Sequence, residues 1–97
     1  MRYEIVLAPE AVEDLERLSA RWRAMVRDAV EKYLRHQPAK VSKARIKRLR
    51  GVRRPQYRLR VDEIRVFYDI RERMVKVLAI APKSEAAAWL QETGESE

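Results

Sequence analysis

The sequence predicts an α+β fold of order β-α-α-β-β-β with a short C-terminal helix, a two-helix hairpin packing on one face of a four-stranded, mainly antiparallel sheet. Three observations carry this expectation. Residues 9–34 place apolar side chains at three- and four-residue intervals, residues 57–81 alternate apolar with polar side chains, and Pro, Ser and Gly punctuate the segments. A chain of 97 residues fits one domain, since it buries about two-thirds of its unfolded surface in a single small core. We place that domain at residues 1–92 and read residues 93–97, Thr93-Gly94-Glu95-Ser96-Glu97, as a flexible polar tail.

The elements follow in order. Tyr3-Glu4-Ile5-Val6-Leu7 is rich in β-branched and aromatic residues and stops at Ala8-Pro9, where proline suits a first helical turn and not a strand interior. From Pro9, the positions Ala11, Val12, Leu15 and Leu18 form one helical stripe, with Glu10, Glu13, Asp14, Glu16 and Arg17 opposite. After Ser19-Ala20, a second helix runs through Trp22, Met25, Val26, Ala29, Val30, Tyr33 and Leu34 and ends before Pro38. Arg35 and His36 lie in its last turn, where cations meet the negative end of the helix dipole. Residues 39–55 read as a basic connector with a short helical turn at most, anchored by Ile46 and Leu49 and broken at Gly51 and Pro55. Tyr57 to Val61, Ile64 to Ile70 and Val75 to Ala81 form a meander joined by two short connections, Asp62-Glu63 and Glu72-Arg73. Ser84 can cap the last helix, with Glu85 in its first turn and Trp89-Leu90 as its apolar face.

Charge is the informative part of the composition. The chain carries 22 Lys and Arg against 15 Asp and Glu, and ten of those cations fall between Lys40 and Arg60, a stretch with no acidic residue. The remainder is net −3. A block this one-sided suits a polyanionic partner, whose phosphates Lys and Arg neutralise with release of counterions. Cysteine is absent, so packing alone must hold the fold, as suits a reducing cytoplasm. No run approaches the ~20 apolar residues of a membrane span. We expect a soluble cytoplasmic protein with no membrane partner.

Alternation assigns sides to the sheet. If Leu59, Val61, Val66, Tyr68 and Ile70 pack under the helices, then Arg58, Arg60, Arg65, Phe67 and Asp69 project from the opposite, open face. Guanidinium forks for phosphates beside a flat ring for an unstacked base are the parts of an RNA site. The basic connector, through Lys43, Arg45, Lys47, Arg48, Arg50, Arg53 and Arg54, would add phosphate contacts. The alternative for Arg65 is a cross-strand ion pair with Asp62, Glu63 or Asp69. Trp22, Tyr33 and Trp89 read as core or interface anchors, and His36 as a solvated helix end rather than a general base. Two glycines in all exclude a Gly-rich phosphate loop, and no metal-ligand spacing occurs, so we expect no cofactor and no metal. Phosphodiester chemistry on such a face would run on cations that position a 2′-hydroxyl in line with phosphorus and stabilise the developing charge.

The motifs Leu49-Arg50-Gly51, Tyr57-Arg58-Leu59-Arg60-Val61 and Ile64-Arg65-Val66-Phe67-Tyr68, closed by Lys83-Ser84-Glu85, resemble the signature of the RelE/ParE superfamily of toxins. The likeness covers nearly the whole chain in order and spacing. It implies a toxin of a type II toxin–antitoxin pair, held in a heteromeric complex by a small acidic, RelB-like antitoxin. In the RelE-like branch it implies a metal-independent endonuclease that cleaves messenger RNA on the ribosome by 2′-hydroxyl attack and so inhibits translation. By that resemblance Arg58 and Arg60 stabilise the 2′-oxyanion and the transition-state charge, Arg65 holds the scissile phosphate, and Lys83 assists the leaving group. Two positions depart from the pattern. Ala87 stands where the family has a tyrosine, and an arginine replaces a strand lysine of some members; arginine is a poor general base. The alternatives are a ParE-like inhibitor of DNA gyrase and an RNA- or ribosome-binding module without catalysis. Helix two and the C-terminal helix are the expected antitoxin-facing surfaces.

Overall fold

The computed structural model describes residues 1–96. Its elements are β1 (Glu4–Leu7), α1 (Pro9–Arg17), α2 (Ala20–Leu34), β2 (Ile46–Arg48), β3 (Val52–Arg54), β4 (Tyr57–Val61), β5 (Ile64–Arg71), β6 (Met74–Pro82), α3 (Lys83–Thr93) and β7 (Glu95–Ser96). The α+β architecture is the expected one. Five strands form the main sheet in the order β1-β6-β5-β4-β2, with β1 parallel to β6 and the other pairs antiparallel.

Local chemistry explains the first half of the chain. Pro9 opens α1 in the first turn, and the Ala8 N–H extends the β1–β6 pairing by donating to Val77 O at 2.8 Å. Where β1 ends, the β6 edge is left without a strand, and the Asp14 carboxylate of α1 takes the Ile80 N–H at 2.9 Å instead. Ser19 caps α2, its hydroxyl accepting from the Trp22 N–H at 3.3 Å. Leu15, Val26 and Leu34 of the helices then close over Leu59, Val61, Val66 and Tyr68, on the side the alternation assigns them, together with Val75 and Val77 of β6. The Tyr68 hydroxyl, wholly inside this core, donates to Pro38 O at 2.7 Å.

Three local expectations need correction. The connector is not a coil with a helical turn: Ile46–Arg48 is a fifth strand, paired Ile46 to Leu59, Lys47 to Arg58 and Arg48 to Tyr57. Three residues are too few to show alternation, and it is burial of Ile46 against the core that fixes them. The tail is not free within the described residues, because Glu95–Ser96 pairs with Val52–Arg54 and Glu95 meets Arg53 at 2.8 Å; Glu97 of that tail lies outside them. Ser84 does not cap α3, which begins at Lys83 with no side-chain cap, the Lys83 N–H being taken by Glu63 O at 2.7 Å.

Both tight turns use the left-handed region without glycine, at Asp62 (φ 54°) and Glu72 (φ 56°), while Gly51 (φ 74°) turns the chain from β2 toward β3. The second sheet face is covered along its middle. There α3 lays Trp89 on Phe67, ring centroids 4.8 Å apart and 19° from parallel, with Ala86 of the helix and Ala79 of β6 buried in the same cluster. Small side chains at Ala79 and Ala86 allow helix and sheet to approach closely.

Candidate nucleic-acid interface

Register fixes which cations share the second face. Arg58 on β4 lies between Lys47 on β2 and Phe67 on β5, and Arg60 lies directly opposite Arg65. Directly opposed side chains in an antiparallel pair sit roughly 5 Å apart at Cβ, and like charges at that spacing destabilise the sheet. Two like-charged pairs in adjacent rows are therefore costly for folding. Among the described residues none of Lys47, Arg58, Arg60 and Arg65 has a carboxylate within ion-pair distance.

Each member is held differently. Arg58 is half-buried, its Nε is buried without an acceptor, and burial lowers its guanidinium pKa, with the charges of Arg65 and Arg60 lowering it further. Arg65 is 7% exposed, and its Nη1 donates to the carbonyls of Asp62 (2.7 Å) and Ile64 (3.2 Å), none of the three carboxylates weighed as its partners being used. Arg60 is exposed where β4 outruns β2, its N–H bonded to Arg45 O at 2.8 Å, and lines a cleft of about 590 Å³ with Tyr33, Arg45, Asp28 and Asp62. Lys83 is exposed at the first residue of α3, two positions beyond Ala81, the strand partner of Arg65.

Other residues of the expected RNA surface are engaged elsewhere. Phe67 is 2% exposed beneath Trp89, so no base can stack on it while α3 is docked. Arg54 pairs with Asp69 at 2.9 Å, and the same carboxylate accepts the Gln56 N–H at 2.8 Å, which makes both residues fasteners of the β3–β4 corner. Arg53 pairs with Glu95. Arg48 donates to Gln56 O at 2.7 Å and stands over Tyr57, whose ring stacks on Tyr68 on the helix side. Arg45 stands over Tyr33, while Lys43 and Arg50 are exposed. Lys47 alone of the connector cations joins Arg58 in a cross-strand pair. The covering of Phe67 has a sequence signal in retrospect: Ala79 and Ala81 share its face, and small residues there leave room for the Trp89 helix.

A five-stranded sheet with a helical hairpin on one face and a cationic row on the other defines a small basic α+β protein. A family model described as "ParE toxin of type II toxin-antitoxin system, parDE" matches residues 5–87. The chain belongs to this family, within the RelE/ParE toxins, and is a toxin of a type II toxin–antitoxin system. Solved structures agree in fold. The RelBE2 toxin–antitoxin complex from Mycobacterium tuberculosis contains a chain 24% identical, with TM-score 0.70, covering 84% of this chain and 99% of that one. The archaeal RelE–RelB complex from Pyrococcus horikoshii is 24% identical with TM-score 0.64, covering 86% and 97%. A mutant E. coli RelE toxin in the free state is 20% identical with TM-score 0.70, covering 95% and 94%. No curated protein sequence matches. Among the described residues no helix is long and apolar enough to cross a membrane.

Proposed function

We propose that this toxin, once released by its antitoxin, binds messenger RNA on the ribosome and cleaves it without a metal. The observation that carries the reading is the row of Lys47, Arg58, Arg60 and Arg65, which forms no ion pair among the described residues, with the buried Arg58 Nε lacking an acceptor. A scissile phosphate supplies the acceptor and the charge that the row lacks. In the reaction the 2′-oxygen attacks phosphorus and the 5′-oxygen leaves, giving a 2′,3′-cyclic phosphate and a 5′-hydroxyl. Arg58 and Arg60 stabilise the equatorial oxygens, Arg65 holds the phosphate with its nitrogens other than Nη1, and Lys83 protonates the leaving oxygen. The 2′-hydroxyl proton passes to solvent, arginine being a poor base, so a slow chemical step is expected. The partner in the resting state is an acidic, RelB-like antitoxin that complements the +7 charge of the chain.

The test is primer extension on a defined message in a reconstituted translation reaction, with and without ribosomes, comparing the intact protein with Arg58→Met. Arg58 is preferred to Arg65 because Arg65 also fastens the β4–β5 turn. Ends that need ribosomes and vanish in the variant support the reading. The second reading, inhibition of DNA gyrase, is favoured by the ParE description of the matched family and by the cover that Trp89 places over Phe67. Absence of new ends together with blocked supercoiling of plasmid DNA would replace the first reading by the second.

A further inference from the structure

The connector cations that do not join the Arg58 row are not scattered. Behind β2, on the helix side, the last turn of α2 and the chain leading into β2 enclose a groove of about 480 Å³. Lys32, His36, Lys40 and Arg45 line it over Tyr33 and Ile46, and no carboxylate is among its lining residues. Of the acids on this helix, Asp28 is one turn back and lines the neighbouring cleft, and Glu31, near enough to feel the charge of His36, is paired with Arg35.

The groove is built rather than incidental. Lys32 Nζ and the Arg45 guanidinium each lie 5.3 Å from the centre of the Tyr33 ring, so one aromatic holds two cations in place. The Ser42 hydroxyl accepts from the N–H groups of Arg45 (3.1 Å) and Ile46 (3.3 Å), which sets the turn that presents Arg45. Among the described residues neither Lys32, Lys40 nor Arg45 has an ion-pair partner. Since β2 is the last strand of the sheet, Lys47 and Arg58 lie in front of this edge while Lys32, Lys40 and Arg45 lie behind it.

We propose that this groove is a second RNA phosphate site, so that one single-stranded RNA is gripped on both faces of the β2 edge. The inference deepens the RNA reading above and rests on RNA being the ligand, not on its being cut. A strand crossing the exposed edge passes from Lys47 and Arg58 in front to Arg45, Lys40 and Lys32 behind. An acidic polypeptide is the competing occupant, and RNA is favoured because Tyr33 and Arg45 of the groove also line the neighbouring cleft that holds Arg60 of the row.

Fluorescence anisotropy with a labelled uridine oligonucleotide, over a salt series, tests it. Each phosphate contact to single-stranded RNA contributes about 0.7 to the slope of log affinity against log salt. The exposed pair Lys32→Gln/Lys40→Gln should therefore flatten the slope by about 1.4 and leave the urea midpoint unchanged. Arg21→Gln/Arg27→Gln, equally exposed and N-terminal to Asp28 on α2, removes the same charge and should flatten it far less. Equal flattening by both pairs means diffuse attraction and overturns the proposal, as does an unchanged slope in Lys32→Gln/Lys40→Gln. Oligoglutamate of matched charge that binds the intact protein as tightly as RNA and loses as much in the variant also overturns it, in favour of an acidic polypeptide. Primer extension on the same proteins separates the two readings: no cut ends with the slope change intact removes cleavage and leaves the groove standing.

Discussion

Replacing Arg58 by methionine should stabilise the fold while weakening its hold on RNA. The aliphatic stem is kept, so packing against the neighbouring strands is largely preserved. What is removed is a buried donor without an acceptor, a cost of about 1–3 kcal/mol, for which the half-buried setting argues the lower end. Lys47 and Arg60 are close cationic neighbours on the sheet, and relief from them and Arg65 adds a few tenths of a kcal/mol each after solvent screening. The expected gain is about 1–2 kcal/mol, or roughly 4–8 °C in Tm for each kcal/mol at this chain length. Urea unfolding at low and high salt measures it, and the gain should shrink with salt because part of it is repulsion. A second arm adds an RNA oligonucleotide: at a hundred times Kd it should stabilise the intact protein by about 2.7 kcal/mol and the variant by much less. Equal or lower stability in Arg58→Met would show that the Arg58 charge is already compensated, and the argument from an unanswered cation row would fall.

Three further outcomes are expected. Burial, and then the charge of Tyr57, push the Tyr68 phenol above the ordinary tyrosine range. Because the fold keeps Tyr68 neutral while the unfolded chain ionises near pH ~10, its contribution is fully present below that pH and is lost as pH rises further. Alkaline titration by phenolate absorbance, compared with a Tyr68→Phe variant, should then show the Tyr68 phenol silent until the protein unfolds, and its ionisation in the native state would contradict the buried Tyr68–Pro38 bond. Gly51→Ala should cost about 1 kcal/mol in urea midpoint even though an added Cβ meets no atom within 4 Å, since the penalty is the positive φ alone; Glu72→Gly should gain about 0.5–1 kcal/mol for the same reason, and a neutral pair would mean that the turns relax freely. Trp89→Ala should cost about 2 kcal/mol, below the ~3–5 kcal/mol of a fully buried tryptophan because Trp89 is only partly buried, and a loss under about 0.5 kcal/mol would indicate that α3 does not stay docked on Phe67.

Periodicity inside a segment is enough to read β1, α1, α2 and the meander of β4 to β6, and to put Leu59, Val66 and Tyr68 under the helices, because a strand has one inward side and a helix one apolar stripe. The same alternation puts Arg58, Arg60 and Arg65 on the other face, and the ordered motifs carry the family. Other features depend on contacts between residues far apart in the chain. Ile46–Arg48 becomes a strand only by pairing with β4, and Glu95–Ser96 only by meeting β3. Phe67 looks exposed by alternation but is roofed by Trp89, 22 positions later, and Arg54 looks free until Asp69 closes on it. Sign and spacing of charge are local properties of a chain, whereas partnership and cover are decided by which distant segment arrives opposite, and that depends on filling one small core from both sides of the sheet.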